Sequence, residues 1–300
     1  MGTVLAAEIR CGRADGCESG FTLIGSALRK VDAAMSVYHE SEITRLNAAA
    51  GQADYLQPVE NNTEQVLRAA LDVAQKTSGA FDITVKPLAN LYGFYRKAGS
   101  TTAGLPTQAE KSHALALVGY RDLVLASRRA GLKRRGMQVD LGGIAKGFAL
   151  DQAAAALVKT GHMEFTLNFG GQILAHGITA PVVVKHPLKP GKDLLRCEIS
   201  SGSISVSAQS ETYRFADGRK IGHLINPHTG ESERENLTTV VYHVQAMYAD
   251  AYSTALFFTT APAFAAITRS ERLVAYKLDK NGNLQISEAA NGTAPCRIAD

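Results

Sequence analysis

The stretch FTLNFGGQILAHGITAPVVVKHPLKPGKDLLRCEISSGSISVS, residues 165–207, decides the fold class. Short apolar and β-branched runs (FTLNF, PVVVK, LLRCEI, SISVS) are separated by glycine, proline and charged turns, the pattern of successive strands. TTVVYHV at 238–244 continues it, and a strand pair is expected near 272–287. Upstream the period changes. Within 21–38, Ile24, Leu28, Val31, Met35 and Tyr38 recur at alternating steps of four and three, one apolar stripe on an amphipathic helix. A second helix is expected over 63–78, with Thr63 as N-cap candidate and Gly79 as terminator. Thr107 followed by Glu110 is a capping box opening a third, which ends near Gly119. Residues 123–126 and 137–141 read as short strands around a basic turn (Arg128, Arg129, Lys133, Arg134, Arg135), a solvated hairpin tip. Further helices are expected over 144–160, stopped by Gly161, and over 247–258. Helices early, strands late and no regular βα alternation give an α+β fold, a largely antiparallel β-sheet core with packed helices. No Gly/Ser linker, repeat or low-complexity tract divides the chain, so residues 1–300 are expected to act as a single unit.

Composition narrows the class of function. Apolar residues make up 45% and charged residues 20% of 300, enough for a sizeable core. A net charge of +4 is too small for a dedicated duplex binder, so no nucleic-acid partner is expected. Trp is absent, which removes a common stacking platform for bases or sugars. Cys11, Cys17, Cys197 and Cys296 are too few for a disulfide scaffold and have neither CxxC nor zinc spacing. The first residues carry no basic n-region, and the apolar run at 4–7 is too short for a signal peptide. The uncharged stretch 251–268 contains Pro262 and several hydroxyls, so a buried helix pair is expected there and no membrane span. On this basis the chain reads as cytoplasmic, or as periplasmic or membrane-anchored if a leader preceded Met1.

Four segments could carry chemistry. In VDLGGIAKGFALD (139–151) a strand ending in Asp140 meets a Gly142-Gly143 turn and then a helix start, where free N–H groups attract anions and Lys146 adds a charge. It is neither a Walker A loop nor a dinucleotide fingerprint. In AMYADAYSTALFF (246–258), Asp250 and Thr254 are four apart, so a carboxylate and a hydroxyl share one helix face. Such hard oxygens suit Mg²⁺. The plainer alternative is that Asp250 caps the helix while Thr254 bonds back to the preceding turn. GHLINPHTG (222–230) is a turn flanked by His223 and His228, either able to move protons. SGAFDITVKPLANLYGF (78–94) holds Asp82, whose role spacing does not reveal. No GxSxG or HExxH occurs, which ranks hydrolytic triads low.

Together these segments resemble the ApbE-type flavin transferases, the FAD:protein FMN transferases. The resemblance rests on Met1-Gly2-Thr3, MSVYHESEITRLNAA (35–49), SGAFDITVKPLANLYGF (78–94), LPTQAEKSHALALVGYRDLVL (105–125), VDLGGIAKGFALDQAAAALVKTG (139–161), NFGGQILAHG (168–177), GSISVSAQSETYRFADGRKIGHLINPHTG (202–230) and MYADAYSTALF (247–257). It implies a Mg²⁺-dependent enzyme that moves FMN from FAD to a Thr or Ser hydroxyl of a flavoprotein, releasing AMP. Its site would be built from segments near 35–47, 78–94, 139–151, 205–230 and 247–257. The metal ligands would be the Asp250 carboxylate, the Thr254 hydroxyl and the Gly143 carbonyl. Lys146 would lie near the phosphates and His223 would be catalytic. Tyr38 would sit near the flavin or adenine, with Glu42, Asp82 and Ser207 also on the cofactor-binding side.

Several departures stand out. Asn226 replaces an Asp common beside His223, Gln172 stands where an acidic or amide residue is usual, and Ser207-Ala208 replaces Ser-Gly. The Trp often following the 168–177 strand is missing, and the segment before PVVVKHP is shortened. Alternative activities are an FAD pyrophosphatase giving FMN and AMP, and a non-catalytic flavin-binding maturation factor.

Overall fold

The computed structural model describes residues 3–12, 14–95, 104–209, 212–290 and 295–299. In chain order the first half contains β1 (Leu5–Ile9), α1 (Ala14–Met35), α2 (Glu42–Ala48), β2 (Gln57–Pro58), α3 (Asn61–Lys76), α4 (Lys86–Leu91), α5 (Gln108–Leu115), β3 (Leu123–Ala126) and β4 (Arg129–Leu132). The second half continues with α6 (Ala145–Lys159), β5 (Phe165–Phe169), β6 (Gln172–Lys185), β7 (Asp193–Ala208), β8 (Tyr213–Ala216) and β9 (Arg219–Gly222). It ends with β10 (Asn236–His243), α7 (Ala246–Phe257), α8 (Ala261–Ser270), β11 (Val274–Asp279), β12 (Leu284–Ile286) and β13 (Cys296–Ile298). Two compact units divide these elements. One comprises residues 1–32, 144–207 and 236–300, the other 33–143 and 208–235, so the chain passes between them four times.

The first unit is built on a sheet of order β1-β5-β6-β7-β10-β11-β12, with β13 also paired to β7. The β1–β5, β5–β6, β6–β7, β10–β11, β11–β12 and β7–β13 pairings are antiparallel, so the expected α+β class is observed. Alternation does the sorting: Val182 and Val184 are buried in β6 while Val183 between them faces out. Val182, Leu195, Ile199, Ile204, Val240 and Leu278 form one buried cluster. Helices α6 and α7 pack on each other, and α7 also packs on β10. Almost all of α7 is buried, which accounts for a sequence whose single charged residue is Asp250. With α8 it makes the expected helix pair over 251–268. Among the described residues no helix is long and apolar enough to cross a membrane.

The second unit holds the β2-β4-β3 sheet, the β8–β9 hairpin and α2 to α5. Ile43, Leu46, Val66, Leu67, Leu132 and Met137 are fully buried there. The Thr107–Glu110 capping box forms as expected. Other local features differ. Helix α3 starts at Asn61 with Glu60 at its N-cap, and the Glu60 N–H donates to the Glu42 carboxylate at 2.8 Å, so Thr63 sits inside the first turn. The partner of β3 is β4 and not 137–141, because Arg128 adopts φ 59 and closes the hairpin within two residues. The basic residues therefore lie in and after β4. The Arg129 guanidinium donates to the Leu56 carbonyl, and Arg134 pairs with Asp122 at 2.8 Å. Gln138 keeps only a single bridge, to Val85. Tyr38 falls beyond the end of α1 and is 69% exposed, so it leaves the apolar stripe. Met1 and Gly2 of the quoted N-terminal match, and Ser210 and Glu211, lie outside the described residues.

The four cysteines pair as Cys11–Cys17 and Cys197–Cys296, the second joining β7 to β13 across 99 residues. Closing so long a loop restricts the unfolded chain. A Cys197→Ser/Cys296→Ser double variant is expected to lose about 2–4 kcal/mol of stability in urea unfolding. Wild-type protein unfolded in the presence of reductant, which also opens Cys11–Cys17, is expected to lose at least as much.

Candidate functional site

The glycine-rich turn before α6 begins with a carboxylate turned onto its own backbone. Asp140 Oδ1 accepts from the Gly142 N–H at 3.2 Å, an Asx-type turn, while Oδ2 accepts a short bond from the Tyr95 hydroxyl. Gly143 lies in that turn, and α6 starts two residues later. Gly147 serves a packing purpose. A Cβ there would stand 2.2 Å from the Ala246 carbonyl oxygen and 2.5 Å from its carbon, so α6 and α7 cross backbone to backbone. That approach lets the Gly147 N–H donate to Asp250 Oδ2 at 3.1 Å. Lys146 Nζ reaches the same carboxylate, at 3.2 Å from Oδ1 and 3.5 Å from Oδ2.

Asp250 is 3% exposed, so its charge depends on these donors. Thr254 lies one turn on, as its spacing predicts, with its hydroxyl donating weakly to the Asp250 carbonyl at 3.4 Å. A chain of buried hydroxyls adjoins them. Ser253 Oγ donates to the Asp250 carbonyl at 2.9 Å, and lies 2.9 Å from Ser207 Oγ and 3.2 Å from Ser205 Oγ. Ser207 Oγ is also 3.4 Å from Thr254 Oγ1. Lys146, Asp250, Thr254 and Ser207 are therefore one connected set within the first unit.

Asp250 does not cap its own helix. That task falls to Asp151, whose Oδ1 accepts from Ala246 N at 2.8 Å and Oδ2 from Met247 N at 2.9 Å. Burial pushes Asp151 up to about 6, with the like charge of Asp250 adding and the two amides opposing. At neutral pH it is thus still an anion. Beside it, Gln172 Nε2 donates to the Ala246 carbonyl at 2.7 Å and to Ser203 Oγ at 3.3 Å. Sequence inspection did not select Asp151, Ser253 or Gly147. Spacing puts Gly147 and Asp151 on one face of α6, but does not say what that face meets.

The remaining predicted residues belong to the second unit. The Asp82 carboxylate is buried and fully engaged: Oδ1 accepts from Thr84 N at 2.8 Å and Thr84 Oγ1 at 2.6 Å, Oδ2 from Tyr120 N at 2.9 Å. Its burial raises its pKa. Glu42 is likewise committed, to Glu60. Tyr38 lies 6.0 Å from Tyr95, and Lys86 Nζ sits 4.0 Å over the Tyr95 ring. Burial lowers the Lys86 pKa, and burial followed by the Asp140 charge raises that of Tyr95. His223 bonds through its ring Nδ1 and its backbone N–H to the Thr212 carbonyl, at 3.1 and 3.0 Å. Asn226 Oδ1 accepts from His228 N at 2.9 Å and Thr229 N at 3.3 Å, closing the turn.

The sequence pattern of the ApbE family matches residues 1–276. The chain belongs to the ApbE family. It is 28% identical over 273 residues to the FAD:protein FMN transferase of Salmonella typhimurium, covering 87% of this chain and 77% of that protein. The Escherichia coli K12 protein of the same name is 27% identical over 264 residues, 84% of this chain and 74% of that one. An ApbE protein from Thermotoga maritima superposes with a TM-score of 0.87 at 24% identity, over 96% of this chain and 94% of that one. The flavin transferase ApbE from Vibrio cholerae gives 0.85 at 24%, over 96% and 95%. At such identity the likeness supports the fold, the α+β architecture described above.

In this ApbE chain, Gly147→Ala is expected to force α6 and α7 apart. Overpacking of this kind costs about 1–3 kcal/mol or more. A thermal melt should register a clear fall in midpoint. An unchanged midpoint would contradict the close helix crossing.

Proposed function

We propose that this protein is an FAD:protein FMN transferase that uses Mg²⁺ to move FMN from FAD onto a Thr or Ser hydroxyl, with release of AMP. The observation that carries the proposal is the Asp250 carboxylate. It is buried, ionic with Lys146, tied to the first turn of α6, and shares a face with Thr254. Among the described residues no group of three or more His, Cys, Asp or Glu clusters for a metal. The donor set of the proposal is different, one carboxylate with a hydroxyl (Thr254) and a main-chain carbonyl (Gly143). These are all hard oxygens, of the kind Mg²⁺ accepts in small number. A carboxylate offers about four acceptor positions, and Asp250 uses three of them here. The residues therefore fit the ion. When bound, Mg²⁺ supplies charge neutralisation at the pyrophosphate and stabilises the leaving phosphate.

The protein's own groups do the rest. In phosphoryl transfer, positioning and electrostatics outweigh covalent chemistry. The acceptor hydroxyl oxygen forms a bond to the FMN-side phosphorus, the pyrophosphate P–O bond breaks, and AMP leaves with the electron pair. The hydroxyl proton passes to a base, for which His223 is proposed; its Nδ1 is held by the Thr212 carbonyl, which orients the ring. Lys146 offsets negative charge near the phosphates. Tyr38, exposed beside Tyr95, offers an aromatic face for a flavin or adenine ring. Glu42 and Asp82 act indirectly, since their carboxylates already hold loop backbone. In this proposal all 300 residues serve one function. The two disulfides favour an oxidising compartment over the cytoplasm.

The test is incubation with FAD, Mg²⁺ and an acceptor flavoprotein, followed by intact-mass spectrometry. The expected outcome is one FMN added per acceptor and one AMP released. Free FMN and AMP without an adduct would assign a pyrophosphatase instead. Asp250→Ala is expected to slow turnover at least about a hundredfold, the scale of removing one preorganised electrostatic contact.

A further inference from the structure

We infer that Asp151 is a positioning residue: through the first turn of α7 it fixes where Asp250 and Thr254 stand. The inference rests on the metal-dependent reading above and extends it to a residue that touches neither substrate nor ion.

A helix start leaves N–H groups without partners inside the helix. In α7 the N-cap residue, Gln245, makes no side-chain capping bond. Ala246 and Met247 are buried, so water is a poor substitute. The Asp151 carboxylate supplies both missing acceptors, at 2.8 and 2.9 Å, from one turn further along α6 than Gly147. The Ala246 residue is thereby gripped at both ends, its N–H by Asp151 and its carbonyl by Gln172 at 2.7 Å. Asp250 lies four residues beyond Ala246, about 6 Å along the axis. A tilt of the first turn therefore moves the Asp250 carboxylate off Gly147 N and Lys146 Nζ. Displacements near 1 Å at a reacting centre are enough to cost large rate factors.

Asp151→Asn isolates this role. The amide keeps the shape but offers one acceptor oxygen, and its NH₂ faces a backbone N–H that needs an acceptor. The probe is Mn²⁺, titrated into the folded protein without FAD and followed by electron paramagnetic resonance. In Asp151→Asn the Kd for Mn²⁺ is expected to rise about tenfold, the lower end for groups that orient a metal ligand. The Mg²⁺ concentration for half-maximal FAD turnover is expected to rise by the same factor. KM for FAD at saturating Mg²⁺ should change less than about twofold. Asp151→Glu, which retains both acceptors on a longer arm, should fall between the two. If Asp151→Asn does not fold, Asp151→Glu carries the test alone, with a Kd several-fold above wild type expected. Thr107→Ala removes the α5 cap in the second unit and serves as the control, lowering the melting midpoint without moving the Mn²⁺ Kd. Folded Asp151 variants that bind Mn²⁺ as wild type does, with only a lower midpoint, would overturn the inference. If Asp250→Ala also binds Mn²⁺ normally, the metal reading fails and this inference falls with it. If only the Asp250 variant loses binding, the inference alone fails.

Discussion

A buried helix start carries N–H groups that must find acceptors, and at α6 and α7 each start is met by a carboxylate from the other helix. Asp151 of α6 takes the Ala246 and Met247 amides of α7, while Asp250 of α7 takes the Gly147 amide of α6 together with the Lys146 ammonium. Leaving a buried donor unpaired costs about 1–3 kcal/mol, and hydrogen bonds to charged groups contribute about 1.5–3 kcal/mol each. Several such bonds together are comparable with the whole net stability of a domain, about 5–15 kcal/mol. The exchange is geometrically possible only because Gly147 has no side chain, since a Cβ would collide with the Ala246 peptide. Helix packing and the placement of the Asp250 carboxylate are thus one problem with one solution.

That constraint also explains which parts were legible in the sequence. Periodicity gave the longer helices but not α2 or α4, and the core strands β5 to β7, β10 and β11 but not β1, β8, β9 or β13. Helix α6 is stopped by Gly161, and β6 alternates cleanly over 180–185. The i,i+4 relation of Asp250 and Thr254 survives in the structure because it is local to one helix. Asp151 was invisible for the opposite reason. Its partners are 95 and 96 residues away, and nothing within α6 distinguishes a carboxylate that caps a distant helix from one facing water. The error at 137–141 has the same origin: alternating burial of Met137, Val139 and Leu141 imitates a strand, but β4 already occupies the edge of β3. The cysteine pairs too are tertiary facts, since Cys197 and Cys296 meet only because β13 returns to β7.

One buried carboxylate from each unit shows how burial alone fails to mark chemistry. Asp82 and Asp250 are both buried, yet Asp82 receives a hydroxyl and two backbone amides that organise its loop. Every bond it makes is to a group of fixed position. Asp250 instead holds a lysine, a mobile cation on a long stem, and keeps an acceptor position in reserve. Both carboxylates hold fixed amides, Asp250 that of Gly147, but of the two Asp250 alone also holds an exchangeable cation, and that favours it as the group that meets a ligand.

The two amide substitutions argue in opposite directions. Asn226 uses only its carbonyl oxygen, accepting from His228 and Thr229, so an aspartate would serve the turn equally and only charge beside His223 is lost. Gln172 uses its NH₂ to donate to the Ala246 carbonyl and to Ser203, which an ionised carboxylate cannot do. A glutamate there would set a lone pair against the Ala246 carbonyl in a buried site, beside the peptide that Asp151 grips from its other end. Gln172 is therefore part of the same clasp: it leaves Asp151 as the one anion at the start of α7 and keeps a second negative charge away from Asp250.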